Sequence, residues 1–377
     1  MPTFDEAALV KGIAHGQIGG ISLDTTAFDR YQCNLEVPAL LGLAQFLGSK
    51  TRFILSEVVA GEIKSHVARD AAKARQELRS ALREVRHRWR KPVDNNAIEA
   101  TMGLQQSPQD FAEAYFNVFT DATKPEVIAA DGRVSHAEVL RRYFAPEPPF
   151  SAKDRKKSEF PDALALLSLE SWAVDNKTLV LVVSRDSDWQ TFAESSKHLV
   201  CIPDLDQALD YFNGEARFVV ERAVGLLRKQ AAPELNEAIG SALELFLEEF
   251  DPESDAYASL EYEVENLESA VQHWEIVQEF EPKVLNADAD TVVFSITVDA
   301  IVNFTGNFRY YVHDTVDRDE VYLGSDSKEV EQTVRLPLTV TIERNIDKEP
   351  VVERIDITPV RVVIGFGCID PDWGPEE

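Results

Sequence analysis

Along the first two hundred residues, short uninterrupted apolar runs alternate with longer stretches of helical periodicity. The runs are "GGISLD" (19–24), "TRFILS" (51–56), "TLVLVVS" (178–184) and "HLVCI" (198–202). Helical spacing covers 36–48, 57–91, 108–119, 135–144, 161–175, 187–196 and 204–212. Strands separated by helices predict βαβ units and a mostly parallel sheet. Runs that are apolar at every position fit strands covered on both faces. Ser56 stands where an N-cap belongs and Pro161 suits a first helical turn. The four prolines of "FAPEPPFSAKDRKKSEFP" (144–161) mark a loop.

Past Asn213-Gly214 the period changes. Residues 215–250 read as one or two helices. From about 256 the pattern alternates at every second residue, in "SLEYEVENLE", "HWEIVQEFEPKV", "DTVVFSITVDAIVNF", "FRYYVHD", "TVRLPLTVTIER" and "VERIDITPVRVVIGF". Alternation with polar outer positions predicts an antiparallel sheet with one wet face. The expected fold class is therefore α/β, a parallel sheet flanked by helices, followed by an antiparallel β-rich (α+β) second domain. The divisions are a first domain at 1–213 with a helical insertion at about 65–150, a helical connector at 214–254, and an acidic β domain at 255–377.

Composition adds three constraints. No apolar run approaches the ~20 residues of a spanning helix. The N-terminal "MPTFDEAALVKG" lacks a basic region followed by an apolar stretch, so the expectation is a cytoplasmic protein without membrane contact. Cys33, Cys201 and Cys368 are far apart and odd in number, and the seven histidines form no HxH or HExxH pair. Neither a disulfide framework nor a zinc knuckle is indicated. The net charge of −28 is unevenly spread: residues 1–212 carry 25 Lys+Arg against 30 Asp+Glu, and 213–377 carry 13 against 36. Repulsion of phosphate therefore argues against a nucleic-acid partner only for the C-terminal part.

Carboxylates recur at the strand ends. Asp24 closes the first run, Glu57 and Glu62 follow the second, and Asp186 and Asp188 follow the third. Asp162 lies in the first turn of the helix "FPDALALLSLESWA". In a parallel sheet these ends share the carboxyl edge, where open α/β folds place ligands. Glu62 shares a helix face with Val58 and Val59, and Asp162 shares one with Ala165, Leu166 and Leu169. A carboxylate on an apolar stripe must be protonated, paired or metal-bound. Singly, each acid is accounted for as a turn former, a cap or a first-turn residue. Four on one edge point instead to a hard cation, Mg²⁺ or Mn²⁺, and to phosphodiester hydrolysis.

The order of these segments resembles the PIN domain, the metal-dependent ribonuclease fold of bacterial toxins and RNA-processing enzymes. "ISLDTTAF" is similar to its first motif, "LSEVVAGEI" to its second, "FPDALALLSLESWA" to its third and "VVSRDSDWQTF" to its fourth, T-x-D-x-D-F. The likeness runs over about 19–212, and the "KDRKKSEFPDAL" lead-in resembles a larger bacterial subgroup. It implies that Asp24, Glu62, Asp162 and Asp186 are the catalytic, metal-binding acids, with Asp188 an accessory ligand and Ser184 orienting them from the Thr position. Thr26, Ser184 and Trp189 depart from the usual Asn, Thr and Phe, and about 100 residues separate Glu62 from Asp162, roughly twice the gap in small PIN toxins. The implied function is a Mg²⁺/Mn²⁺-dependent endoribonuclease. A toxin or defence role follows from the resemblance alone. The alternatives are a DNA-directed or structure-specific nuclease, and an inactive PIN scaffold that binds without cutting.

Two basic clusters offer phosphate contacts, to RNA ahead of DNA. "RDAAKARQELRSALREVRHRWRK" (69–91) has nine basic residues against three acidic ones, with Arg75, Arg79, Arg83 and Arg86 on one stripe. Lys153, Arg155, Lys156 and Lys157 precede Asp162, and Trp89 could stack on a base. The other reading of the stripe is a solvated helix whose positive face meets the acidic C-terminal domain; that domain is either a brake on the helix or an interaction module for a basic protein partner. "HDTVDRDEVYLGSDS" (313–327) fails as a calcium loop, since Asp317 as first position puts Tyr322 and Lys328 at the sixth and twelfth. It reads as a polar hairpin turn.

Overall fold

The apolar runs of the N-terminal half form one sheet. In the structure, a computed structural model, residues 6–90, 94–101, 106–150, 159–248, 250, 252–313, 320–346 and 348–371 are described. The chain divides into two compact units, Met1–Gly214 and Glu215–Glu377. The first opens with α1 (Glu6–Ala14), β1 (Ile18–Leu23), α2 (Thr25–Asp29) and α3 (Pro38–Leu41). Next come β2 (Arg52–Ser56), α4 (Glu57–Trp89), α5 (Asn95–Thr101), α6 (Pro108–Thr123), β3 (Glu126–Ile128) and α7 (His136–Phe144). It closes with α8 (Phe160–Asp175), β4 (Leu179–Val183), α9 (Ser187–Ser195), β5 (Leu199–Ile202) and α10 (Leu205–Phe212).

The five strands are all parallel, in the order β3-β2-β1-β4-β5. β1 and β4 are central and buried on both faces, as their unbroken apolar character requires. Gly20 in β1 has a steric reason: a Cβ there would stand 2.4 Å from Ile54 and 3.2 Å from Trp172. Its absence lets the Trp172 ring of α8 lie on the sheet. The indole N–H of Trp172 in turn reaches Glu126 Oε1 at 2.7 Å, tying α8 to β3. The insertion packs α6 on α4 through Ala112, Phe116 and Phe119, with a Lys64–Glu113 ion pair at 2.9 Å beside them. It also supplies β3, a strand the sequence pattern does not predict. The single helix expected over 36–48 is divided into α3 and a 3₁₀ turn at Gly42–Phe46.

The second unit holds α11 (Arg217–Arg228), α12 (Pro233–Glu248), β6 (Glu253–Tyr257), β7 (Glu261–Ile276) and β8 (Lys283–Ala287). β9 (Thr291–His313), β10 (Glu320–Glu343), β11 (Val352–Ile357) and β12 (Val363–Cys368) complete it. Its main sheet is antiparallel, β11-β10-β9-β7, with β8 also on β9 and a separate parallel pair β12-β6. Even-numbered residues of β9 from Val292 to Tyr310 are buried and odd ones face outward, the alternation expected of a sheet with one wet face. Two expectations need correction. The helices of 214–254 are not a connector: Val220, Ala223, Val224 and Leu227 of α11, and Leu235, Ile239, Leu243 and Leu247 of α12, share one core with β9 and β10. Stripes this apolar cannot be left in water. The polar turn expected over 313–327 is too long, because Glu320–Ser327 pair with β9 as strand.

Candidate active site

β1 and β4 run in register, Leu23 beside Val183, so the residues after each strand emerge side by side. The chain leaves β1 toward β2 on one flank while β4 lies on the other, which makes this boundary the sheet's switch point. Asp24 emerges there. Its backbone N–H donates to Val183 O at 3.0 Å, and its side chain caps α2, accepting from Thr25 N at 2.6 Å. Its second oxygen, Oδ2, accepts from Thr26 Oγ1 and from Ser184 Oγ, each at 2.7 Å. Asp24 is only 4% exposed. Burial raises its pKa, and the hydrogen bonds from Thr26 and Ser184 oppose the rise.

Ser184 also accepts from Asp186 N at 3.0 Å, so one buried hydroxyl links the two strand-end acids. Asp186 caps α9 by accepting from Asp188 N at 2.6 Å, and Asp188 stands in that helix's first turn, half-buried. Glu62 comes from the second turn of α4. Thr25 Oγ1 donates to its Oε2 at 2.6 Å. Asp162, at the start of α8, accepts from the Trp189 indole N–H at 2.8 Å. Burial lifts the Asp162 pKa to about 7, and the charges of Asp24, Asp186 and Glu62 add to it against the Trp189 hydrogen bond. The charges of the other three reach Asp162, so the four acids gather at the carboxyl end of the sheet, although no three of them come within 4.8 Å of one another.

That donor set fits a hard divalent cation: four carboxylates, one of them held near half-protonation at neutral pH by its burial and by its neighbours' charge. Each of the four carboxylates has an oxygen turned to a neighbouring N–H or O–H. Among the described residues, the one set of three metal-type donors within 4.8 Å of one another is Asp29, Cys33 and His66.

Three side chains here have roles that the sequence pattern does not assign. Thr25 holds Glu62, and Thr26 bonds Asp24 while accepting from Arg185 N at 3.2 Å. Trp189 donates where the motif's usual Phe could not. Their one signal in sequence is adjacency to Asp24 and Asp188. Trp189→Phe removes a donor that favours ionised Asp162. The expected outcome is a still higher Asp162 pKa, seen by carboxyl NMR titration, and a loss of about 1–3 kcal/mol in urea unfolding.

The basic stripe is corrected in part. Arg75 and Arg79 clamp Glu99 of α5, at 2.9 Å from Arg75 Nη2 and 2.6 Å from Arg79 Nε. Hydrogen bonds from Arg79 and Arg75 hold the Glu99 pKa down to about 2. With Arg86, which bonds Asn95 at the start of α5, three of the four arginines reach α5 from α4. Arg83 Nη2 bonds Ser80 Oγ at 3.0 Å and Arg86 Nη2 bonds Asn95 Oδ1 at 2.9 Å. A cavity of about 700 Å³ opens among Arg75, Arg79, Arg83, Asn95, Asn96 and Glu99. Lys153, Arg155, Lys156 and Lys157 lie outside the described residues, as does the Trp89 side chain.

Residues 21–189 match the family model of the PIN domain. This stretch is a PIN domain. PIN domains are a nuclease-type fold, generally bind divalent metals and act on nucleic acid. The PIN match takes in Asp24, Glu62, Asp162, Asp186 and Asp188, and ends before β5. The second unit lies wholly beyond it. No curated protein and no solved structure is significantly similar to the chain. No helix among the described residues is long and apolar enough to cross a membrane.

Proposed function

We propose that the PIN domain is a Mg²⁺- or Mn²⁺-dependent endonuclease that hydrolyses phosphodiesters, with RNA as its substrate. Asp24, Glu62, Asp162 and Asp186 hold the ion and Asp188 stands at its margin. The observation that carries this reading is the placement of Asp24 and Asp186, linked through Ser184, at the switch point of the sheet, with Glu62 held by Thr25 and Asp162 by Trp189 beside them. Such crowding costs stability unless positive charge offsets it. When bound, the ion supplies an activated water and stabilises charge on the phosphate and leaving oxygens. The residues around it fix orientation. Ser184 and Thr26 hold one oxygen of Asp24, Thr25 N–H holds the other, and Thr25 Oγ1 and Trp189 Nε1 fix Glu62 and Asp162.

Arg83 and Arg86 supply a path for the strand along α4. Arg83 lies 21 residues beyond Glu62, about 31 Å along a helix rising 1.5 Å per residue. Arg83→Gln/Arg86→Gln is expected to weaken RNA binding across sequences and to reduce the salt slope by about 0.7 for each phosphate that is no longer neutralised. Fluorescence anisotropy at several salt concentrations measures both.

The test of the reading is cleavage of labelled single-stranded RNA and DNA of one sequence by the full chain, in Mg²⁺, Mn²⁺ or EDTA. RNA cut only with metal, and spared by Asp24→Asn/Asp186→Asn, supports it. Preferential cutting of DNA would replace the substrate class. Intact RNA and DNA with both proteins would leave a binding scaffold in place of an enzyme.

A further inference from the structure

A second donor cluster lies one helical turn from the acids, on the same two helices. Asp29 ends α2 four residues after Thr25, and His66 follows Glu62 by four residues on α4. The Thr25–Glu62 and Asp29–His66 contacts are thus successive rungs between α2 and α4. His66 Nδ1 is 2.9 Å from Asp29 Oδ1, and Cys33 Sγ is 3.4 Å from the same oxygen. One donor atom from each of the three lies within 4.8 Å of the other two. After α2 the chain doubles back: Gln32 and Cys33 have φ of 52° and 54°, and Cys33 N–H donates to Phe28 O at 3.1 Å. This turn aims the Cys33 thiol, only 5% exposed, at the end of α2.

We propose that Asp29, Cys33 and His66 form a zinc site distinct from the carboxylate site, with water at the fourth position. The inference does not rest on the nuclease reading. A thiolate, an imidazole and a carboxylate make a borderline-soft set that selects Zn²⁺ over Mg²⁺ or Mn²⁺. Tetrahedral bonds of about 2.0–2.3 Å set neighbouring ligand atoms roughly 3.3–3.8 Å apart, so the two contacts to Asp29 Oδ1 need to change only by tenths of an ångström, and Cys33 Sγ and His66 Nδ1 already lie within 4.8 Å. An ionised carboxylate only accepts, so both hydrogen bonds to Asp29 Oδ1 direct a proton into the space between the donors. Zn²⁺ takes that space. The Cys33 S–H bond breaks, its proton goes to solvent, and a sulfur–zinc bond forms. The imidazole binds the ion through Nδ1 as a neutral ring with its N–H on Nε2, and any proton on Nδ1 leaves to solvent. One thiolate and one carboxylate then balance the ion's two charges. The bound ion ties α2 to α4 one turn from the Thr25–Glu62 contact.

Cobalt provides the probe. The full chain with Cys201→Ala and Cys368→Ala keeps Cys33 as its sole thiol. Stripped with chelator and titrated with Co²⁺, it is expected to take one equivalent that shows thiolate-to-cobalt charge transfer and tetrahedral ligand-field bands. Zn²⁺ should erase them, excess Mg²⁺ should not, and Zn²⁺ should raise the melting temperature. Cys33→Ser removes the charge-transfer band, and His66→Gln weakens Co²⁺ binding at least roughly tenfold. Asp24→Asn leaves the band unchanged, which separates this site from the carboxylates. A folded protein without the band at saturating Co²⁺ would overturn the proposal. So would a band that His66→Gln and Asp29→Asn leave at full strength. Should Cys33→Ser fail to fold by circular dichroism, the His66→Gln titration decides.

Discussion

Asp24→Asn is expected to lower kcat for metal-dependent cleavage by at least about a hundredfold while the protein stays folded. Removing a partner that merely orients a metal ligand typically costs 10–100-fold, so loss of a ligand itself should cost no less. Asn keeps the shape of Asp24 and one acceptor oxygen. It loses the negative charge, and it cannot accept from both Thr25 N on one side and the Thr26 and Ser184 hydroxyls on the other. Stability should move differently from activity. Burial already raises the Asp24 pKa, so without metal the charge is a burden and its removal offsets the lost hydrogen bond. The melting temperature of metal-free Asp24→Asn should equal or exceed that of wild type. Ser184→Ala, which removes only an orienting hydroxyl, should cost about 10–100-fold. Cleavage by Asp24→Asn within a few-fold of wild type, at saturating Mn²⁺, would remove Asp24 from the site.

The second large effect is on pH. Asp162 has an ordinary pKa of 3.8 and a folded value of about 7. The folded, metal-free protein therefore binds this proton more tightly than the unfolded chain. The sign follows from linkage: the contribution of Asp162 is most favourable below about pH 4, declines as pH rises, and is lost above about pH 7. A divalent cation must displace the same proton. Mn²⁺ affinity should then rise about tenfold per pH unit up to about pH 7 and level off beyond it. Melting curves at about pH 5.5 and about pH 8, with and without Mn²⁺, should show the larger cation-induced stabilisation at the higher pH. Other carboxylates also titrate on the acid side, Glu99 and Glu138 among them with lowered values. The difference between wild type and Asp162→Asn isolates the one group. If that difference is flat from about pH 4 to about pH 8, the raised Asp162 pKa is wrong and the case for crowded acids loses its basis.

Which parts of the molecule are legible in the sequence depends on length and on periodicity. β1, β2, β4 and β5 are readable because continuous apolar runs have few other uses, and α4 because thirty-three residues carry many turns of one pattern. β3 has three residues, α2 five and α5 seven, too few for any period to show. The start of β10 is hidden because Glu320–Ser327 show no alternation: Val321, Tyr322 and Leu323 run together and stay exposed, polar residues follow, and only pairing with β9 makes the segment strand. α11 and α12 read as a connector because nothing local shows what an apolar stripe will cover.

The same division runs through the sites. That acids follow the strands is a property of the sequence, since chain order and a parallel sheet together put them on one edge. That Ser184 bridges Asp24 and Asp186 depends on β1 lying beside β4, a neighbour relation between residues 160 apart. The arginine stripe is visible as charge, whereas its pairing with Glu99 needs α5 folded back on α4. Cys33 belongs to no spacing motif, and only the packing of α2 on α4 brings it to His66. Where strands and long helices form, and which chemical groups stand at their ends, can be read along the chain because propensity and periodicity are local. Which of those groups meet cannot, because hydrogen bonds and shared charge act through space, over distances of a few ångströms that chain separation does not encode.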